Sequence, residues 1–341
     1  MAAAAARHVR AALDIGSGSM KLVVAEVAVV GGAVRLSKVL FGEEHPVKFG
    51  LDLEASQTGE LSAGIREQGL ATLTRLVDAA TSFGCRSAAD IPGCATAVFR
   101  KAKNGPEYLE ALQKATGVRL KVVPQAEEAR LGFQTAVATV EAGGEVPDTM
   151  VVWDSGSGSF QMVRDSTVGD GGGGATADTY FGDFAVAYTT RLLVEQVQGR
   201  DFAGQPTSNP VTPADAEALI TRLKAVIPRP IPAWPAEVPA VYAIGGTNSI
   251  FQLATDVVGK PTFTVDMVKS AVDRLVGQTD AELAVWCQRL NSDKASLVLP
   301  KLCLLYSVMT ELKIQQVHMA KAVGCCAGIM RSSAYYATDK P

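Results

Sequence analysis

Metal-ligand spacing, long apolar runs and a P-loop are all missing from this 341-residue chain. Its six cysteines (Cys85, Cys94, Cys287, Cys303, Cys325, Cys326) include no C-x-x-C pair, and only His8, His45 and His318 are there to join them. That argues against a structural zinc site and for reduced core thiols in a cytoplasmic protein. No apolar stretch reaches the roughly 18 residues needed to cross a bilayer, so no membrane association is expected. Residues 1–7 read as a disordered alanine leader rather than a signal peptide, because no long apolar region precedes a first strand near Val9. Net charge is −3, and the basic residues form no stripe interleaved with aromatics, which excludes a nucleic-acid surface. No P-loop occurs, and the glycine run 169–174 has no flanking helix start that would make it a phosphate loop. Any anion must therefore be held by local loops rather than by the field of the whole protein.

What the chain does contain is one loop written twice. Asp14-Ile15-Gly16-Ser17-Gly18-Ser19 and Asp154-Ser155-Gly156-Ser157-Gly158-Ser159 each follow an apolar run and re-enter another. Strand, acid, Gly/Ser turn, strand is a hairpin pattern, and two copies predict an internally duplicated fold with two phosphate-gripping turns. Glycine lets successive N–H groups point at one anion, and the aspartate beside each turn suits a shared cation. Taken singly, either loop also reads as an ordinary hairpin turn.

The length predicts two domains. The first half reads as three strands, a helix over 61–83, a strand over 91–98, a helix over 106–116, a strand over 120–123 and a helix over 127–140. The Gly/Pro-containing tract 142–147 is a break. It sets domain I at 1–141 and domain II at 148–320, with a closing helix over 321–337 packing back on domain I. The second half predicts a mobile hairpin tip at 169–174, helices near 184–197 and 213–226, and an extended proline-rich connector over 228–239. A strand over 241–244 then runs into Gly245-Gly246-Thr247-Asn248, where a helix starts, and a short strand is expected near 314–317. The alternation gives an α/β fold class.

Two further stretches are more specific. Ala95-Thr96-Ala97-Val98-Phe99-Arg100-Lys101-Ala102-Lys103-Asn104-Gly105 and Gln125-Ala126-Glu127-Glu128-Ala129-Arg130-Leu131 resemble, in order and spacing, the exopolyphosphatase/guanosine pentaphosphate phosphatase (Ppx/GppA) family of the actin-like ATPase and sugar-kinase superfamily. The resemblance spans about residues 10 to 335, without the helical C-terminal extension of longer members. It implies a two-domain actin-like (ribonuclease H-like) α/β fold with a phosphate-binding cleft between the domains. It also implies Mg²⁺-dependent hydrolysis of terminal phosphate from polyphosphate or guanosine pentaphosphate (pppGpp), and hints at a homodimer. Glu128 matches the catalytic carboxylate that activates water, a role a group at a helix N-terminus can fill; by itself the pair Glu127-Glu128 reads as dipole-favourable first-turn acids. Asp14 and Asp154 would hold Mg²⁺. Ser17, Gly18, Ser19, Gly156, Ser157 and Gly158 would bind phosphate oxygens. Lys21 would contact phosphate, or else be a solvated strand lysine. Arg100 would clamp phosphate, with Asn104 nearby, and Gly245, Gly246 and Thr247 match a third loop lining the cleft.

The match breaks at three places. Ser157 replaces a glycine, Gln161 replaces a glutamate tied to metal binding, and the C-terminal Leu-Arg-Glu-Gly motif appears as Cys325-Cys326-Ala327-Gly328. Gln161 keeps open a non-catalytic polyphosphate or alarmone sensor beside the hydrolase. An actin-like small-molecule kinase is a third reading, for which the sequence shows no acceptor motif.

Overall fold

A computed structural model of the chain describes residues 7–30, 33–166, 177–203, 207–289 and 295–336. The alanine leader and the 169–174 tip lie outside these residues. In chain order the elements are β1 Arg7–Ile15, β2 Ser19–Val30, β3 Ala33–Pro46, α1 Phe49–Ala55, α2 Ala63–Ser82, β4 Pro92–Ala95, α3 Ala97–Lys101, α4 Gly105–Thr116, β5 Arg119–Val122 and α5 Gln125–Gly143. The chain continues with β6 Thr149–Ser155, β7 Phe160–Ser166, β8 Asp178–Gly182, α6 Val186–Arg191, α7 Pro213–Val226, β9 Val241–Gly245, α8 Ile250–Val258, β10 Thr262–Thr264, α9 Val265–Leu275, α10 Asp280–Arg289, α11 Val298–Glu311, β11 Gln316–Lys321 and α12 Cys326–Arg331.

The chain forms two compact units. Unit 1 takes the described residues of Met1–Met150, Asp165–Thr179 and Ala322–Pro341, and unit 2 those of Val151–Arg164 and Tyr180–Lys321. Unit 1 is built on a five-stranded mixed sheet ordered β3-β2-β1-β4-β5; a six-stranded sheet in unit 2 runs β10-β11-β9-β6-β7-β8. In unit 1 a three-strand antiparallel opening leads into β4, which lies parallel to β1; in unit 2 β9 likewise lies parallel to β6, with β7 and β8 next in order on the other side of β6. Both sheets being mixed and helix-covered, the α/β expectation agrees with the structure.

The central strands of unit 1 are buried on both faces, which is why they read as near-continuous apolar runs rather than alternating ones. One face carries Leu13, Ile15, Met20, Leu22 and Val24 into a core with Leu73 and Leu76 of α2 and Leu112 of α4. The other carries Ala12, Val23, Ala25 and Val27 against Leu131 of α5 and Ile329 and Met330 of α12. Helix ends follow local chemistry. Proline enters the first turn of α4, Gly117 closes it at φ +77°, and Thr212 and Asp215 form a reciprocal capping box on α7.

Several boundaries differ from the sequence reading. The strand expected over 91–98 stops at Ala95, and 97–101 is the short helix α3; Val98 N donates to the Ser17 hydroxyl, which holds the helix start against the first turn. The helix expected over 184–197 is α-helical only to Arg191 and then widens into a π-helical turn, Leu192–Val197. The helix after β9 begins at Ile250, because Ser249 caps it through Gln252 N. The strand placed at 314–317 lies at Gln316–Lys321, and the closing helix is only Cys326–Arg331, followed by a 3₁₀ turn at Ser333–Tyr335. No helix among the described residues is long and apolar enough to cross a membrane.

Helix α12 seats on α5 through glycine. Gly328 is buried, its N–H donates to Thr135 Oγ1 at 2.8 Å, and a methyl there would overlap the Leu131 carbonyl. Gly328→Ala should therefore cost about 1–3 kcal/mol in denaturant unfolding, whereas Gly143→Ala, at a glycine with open space around it, should leave the midpoint within about 0.5 kcal/mol.

Candidate active site

The duplicated loop is duplicated in structure, hydrogen bond by hydrogen bond. Gly16 N donates to Ser19 O at 2.9 Å, and Gly156 N donates to Ser159 O at 3.0 Å. The Ser17 carbonyl accepts from Gly50 N in α1, and the Ser157 carbonyl accepts from Ala187 N in α6. Each turn is thus tied to the helix that follows its three-strand opening. Gly18, half-exposed, is the most open residue of the first turn, since Ser17 and Ser19 are buried. Their hydroxyls are already engaged: Ser17 Oγ accepts from Val98 N, and Ser19 Oγ donates to Glu44 Oε1 at 2.9 Å.

Strand register explains the surroundings of Asp14. It pairs with Lys21 across β1–β2 and with Cys94 across β1–β4; Lys21 pairs in turn with Glu44, and Cys94 with Lys121. Directly paired residues put their side chains on one face, so a row of four charged residues and one thiol crosses all five strands. Asp14 is buried, and its Oδ2 accepts from Lys21 Nζ at 3.3 Å and from Cys325 N at 3.0 Å. Lys21 thus compensates a buried carboxylate.

Glu128 and Arg100 come from the two helices that follow the parallel strands, α5 and α3. Arg100 Nη1 donates to Glu128 Oε2 and to Val123 O, both at 2.8 Å. Glu128 is only 8% exposed, and the second guanidinium nitrogen of Arg100, Nη2, is buried without a hydrogen-bond partner among the described residues. The neighbouring acid has a different job. Glu127 accepts from Lys121 Nζ at 2.8 Å and from the Tyr335 hydroxyl at 2.9 Å, stapling the C-terminal segment to β5 and α5. Asn104 spends both ends of its amide on Leu61 N and O, so it ties the α2 entry to α4 rather than facing a ligand.

Unit 2 carries the second turn at the end of β6 and the third loop at the end of β9, whose register pairs Asp154 with Ile244 beside Gly245. Gly246 is buried and Thr247 partly so. A methyl on Gly245 would overlap Ser249, and Lys301, itself buried, donates to Asn248 O at 2.7 Å. Gln161 follows Asp154 at the spacing by which Lys21 follows Asp14. It is 2% exposed; its Nε2 donates to Ser159 Oγ at 3.3 Å, while its Oε1 and the Ser155 hydroxyl are buried without partners among the described residues. Orphaned hard oxygen donors beside an aspartate fit an oxygen-preferring dication such as Mg²⁺.

A set of residues that the sequence reading did not place here is Cys94, Cys325 and Gly324. Their separation along the chain hid them, and only the replacement of the family's Leu-Arg-Glu-Gly motif by cysteines marked that stretch at all. For Cys94, the hydrogen bond with Cys325 pulls the thiol pKa down, but burial and the Asp14 and Glu128 charges outweigh it and push it up to about 11. Burial likewise raises Cys326 well above a usual thiol.

Burial pushes the Glu127 carboxyl up, but hydrogen bonds from Lys121 and Tyr335 and the charges of Lys121 and Arg130 outweigh it, holding it below the usual glutamate range. A depressed carboxyl contributes stability above its unfolded pKa and loses it as pH falls through the folded one. Glu127→Gln should thus cost on the order of 1 kcal/mol at neutral pH. The difference between variant and parent melting temperatures should close as pH drops below about 4; a constant difference down to acid pH would refute the assignment.

Comparison with known proteins places this geometry. Residues 23–167 match the Ppx/GppA phosphatase family. Exopolyphosphatase 1 of Mycobacterium leprae is 25% identical over 150 residues, which make up 44% of this chain and 41% of that relative. The chain therefore aligns with less than half the length of that relative. Among solved structures, the Aquifex aeolicus Ppx/GppA family member is 17% identical with a TM-score of 0.65, covering 98% of this chain and 100% of that one. An exopolyphosphatase from Cytophaga hutchinsonii is 13% identical with a TM-score of 0.68, covering 97% and 98%. The chain is thus similar to the Ppx/GppA phosphatase family over residues 23–167, and its two α/β units share the fold of that family's solved members.

Proposed function

We propose that the chain is a hydrolase that removes the terminal phosphate of inorganic polyphosphate, with guanosine pentaphosphate as the alternative substrate. The observation that carries this reading is the pair Arg100–Glu128. A buried carboxylate on the first turn of α5 is held by a guanidinium with one unsatisfied, inward-held nitrogen. Glu128 takes the proton of the attacking water while the water oxygen bonds to the terminal phosphorus. The bridging P–O bond then breaks, and the electron pair leaves with the shortened chain. Arg100 Nη2 offers a charge-assisted donor to a phosphate oxygen. The amides of the Ser17-Gly18-Ser19 turn and Lys21 oppose the charge that spreads over the oxygens in a loose phosphoryl-transfer transition state.

In unit 2, Asp154, Gln161 Oε1 and the Ser155 hydroxyl are the residues that would hold Mg²⁺, with Gly156, Ser157, Gly158, Gly246 and Thr247 presenting backbone and hydroxyl donors to phosphate. Bound there, the ion would neutralise phosphate charge. Asp14 is the weaker candidate ligand because Lys21 already stands against it.

A sensor that binds polyphosphate without turnover is the second reading, favoured by the neutral Gln161 in the second turn. Phosphate release from polyphosphate and from guanosine pentaphosphate, with Mg²⁺, separates the two. Glu128→Gln should lower release by ~10² to 10⁴-fold while leaving polyphosphate binding within a few-fold of wild type. Full activity in the variant would remove Glu128 from the chemistry. Tight binding with no release by wild type from either substrate would establish the sensor.

A further inference from the structure

The row around Asp14 contains two thiols that phosphate hydrolysis leaves unused. Cys94 Sγ lies 3.1 Å from Cys325 Sγ and 3.9 Å from Asp14 Oδ1. All three ligand atoms fall within 4.8 Å of one another, on residues that are all buried. Their placement is fixed by the backbone. Asp14 and Cys94 are directly paired on parallel strands, and Cys325 is anchored by its own amide on Asp14 Oδ2. Gly324, immediately before it, sits at φ +57°, and a methyl there would overlap both Asp14 Oδ2 and the Lys21 side chain. Only glycine lets the chain approach this closely.

We propose that Asp14, Cys94 and Cys325 form a binding site for a thiophilic divalent ion of the zinc class, with two thiolates and one carboxylate oxygen as ligands. Charge supports the choice. Two thiolates and a carboxylate carry three negative charges, a dication leaves one, and the Lys21 ammonium, 3.3 Å from Asp14 Oδ2, cancels it. A neutral assembly is what a buried location tolerates. Binding involves no oxidation: each thiol gives its proton to solvent, and the sulfur lone pairs bind the metal. With Zn–S bonds of about 2.3 Å, tetrahedral thiolates stand ~3.8 Å apart, so the sulfurs open slightly from their present contact. Mg²⁺ would not select this site, since it favours oxygen ligands and retains its water. The ion would take the carboxylate beside the first turn, so its arrival would oppose turnover in the proposed hydrolysis. The binding itself does not depend on that activity.

The test is a titration of the full chain, reduced and stripped of metal by chelation, with Co²⁺ as a spectroscopic probe. The expected result is one Co²⁺ per chain with a thiolate-to-cobalt charge-transfer band, displaced by Zn²⁺ and unaffected by excess Mg²⁺. Cys94→Ser and Cys325→Ser should each abolish the band, while Cys303→Ala, a buried cysteine of unit 2, should keep it. Melting curves on every variant establish that loss of the band is not loss of fold, and Cys94→Ala and Cys325→Ala serve as substitutes if a serine variant melts early. A band that survives both cysteine substitutions, or no band from folded wild type, would overturn the proposal. So would isolated protein that, unfolded without reductant, shows two fewer thiols than its six cysteines, because the pair would then be a disulfide. None of these readouts uses phosphate release, so failure here and failure of the hydrolase reading are separately visible.

Discussion

A buried carboxylate must have its charge answered, and in unit 1 the answer to Asp14 organises everything around it. Leaving it uncompensated would cost several kcal/mol. Three segments meet the requirement, one local and two distant in sequence: Lys21 from β2, the Cys325 amide from the C-terminal segment, and the Cys94 thiol from β4. The amide contact forces glycine at position 324, and that approach in turn sets where α12 begins. From there Gly328 can reach the Leu131 carbonyl and Tyr335 can reach Glu127. The return of the C-terminal segment to unit 1 is thus an electrostatic consequence as much as a hydrophobic one.

Duplication supplied two copies of the same turn, and their differences are informative because the backbone is held constant. Both keep the Gly-to-Ser hydrogen bond and the carbonyl tie to the next helix. At the counterpart position, however, the first copy places an ammonium and the second a neutral amide with an unsatisfied oxygen. The first aspartate is therefore internally neutralised, whereas near the second the Gln161 Oε1 and the Ser155 hydroxyl are buried without hydrogen-bond partners among the described residues. A glutamate at 161 would strengthen such a site; glutamine retains the oxygen but gives up the charge, which weakens the hold on any dication.

The fold was largely legible because its signals are local. Hairpin turns are written in glycine and serine, α4 and α7 in their proline starts, and the buried central strands in unbroken apolar runs. Only the resemblance separated Glu128 from Glu127; the residues alone could not, since adjacent first-turn acids differ only in what the fold brings to each: Lys121 and Tyr335 to one, Arg100 to the other. The same limit applies to Cys94 and Cys325. They stand 231 positions apart, and a ligand search by spacing along the chain discards them, although strand pairing with Asp14 places one and an amide bond to Asp14 places the other. Composition argued for inert core thiols, and it could not see that two of the six share a carboxylate. Asn104 erred in the opposite direction. A resemblance matched it to a position near the cleft, while its geometry spends both ends of the amide on Leu61.

Arg100 links the structural and chemical roles of the proposed site. Its Nη1 holds Glu128 Oε2, one of the two oxygens able to take a proton from water, while Nη2 is buried without a partner. An unsatisfied buried donor on a cation is costly, and a phosphate oxygen is the strongest acceptor such a group could meet. An arriving polyanion would draw the guanidinium toward itself and so compete with Glu128 for it. The carboxylate released from that pairing is the one the proposal asks to accept a proton. Base and substrate grip would then be coupled through a single side chain, Arg100. A buried carboxylate on the first turn of α5, paired with a guanidinium that keeps one donor unspent, is the arrangement such coupling requires.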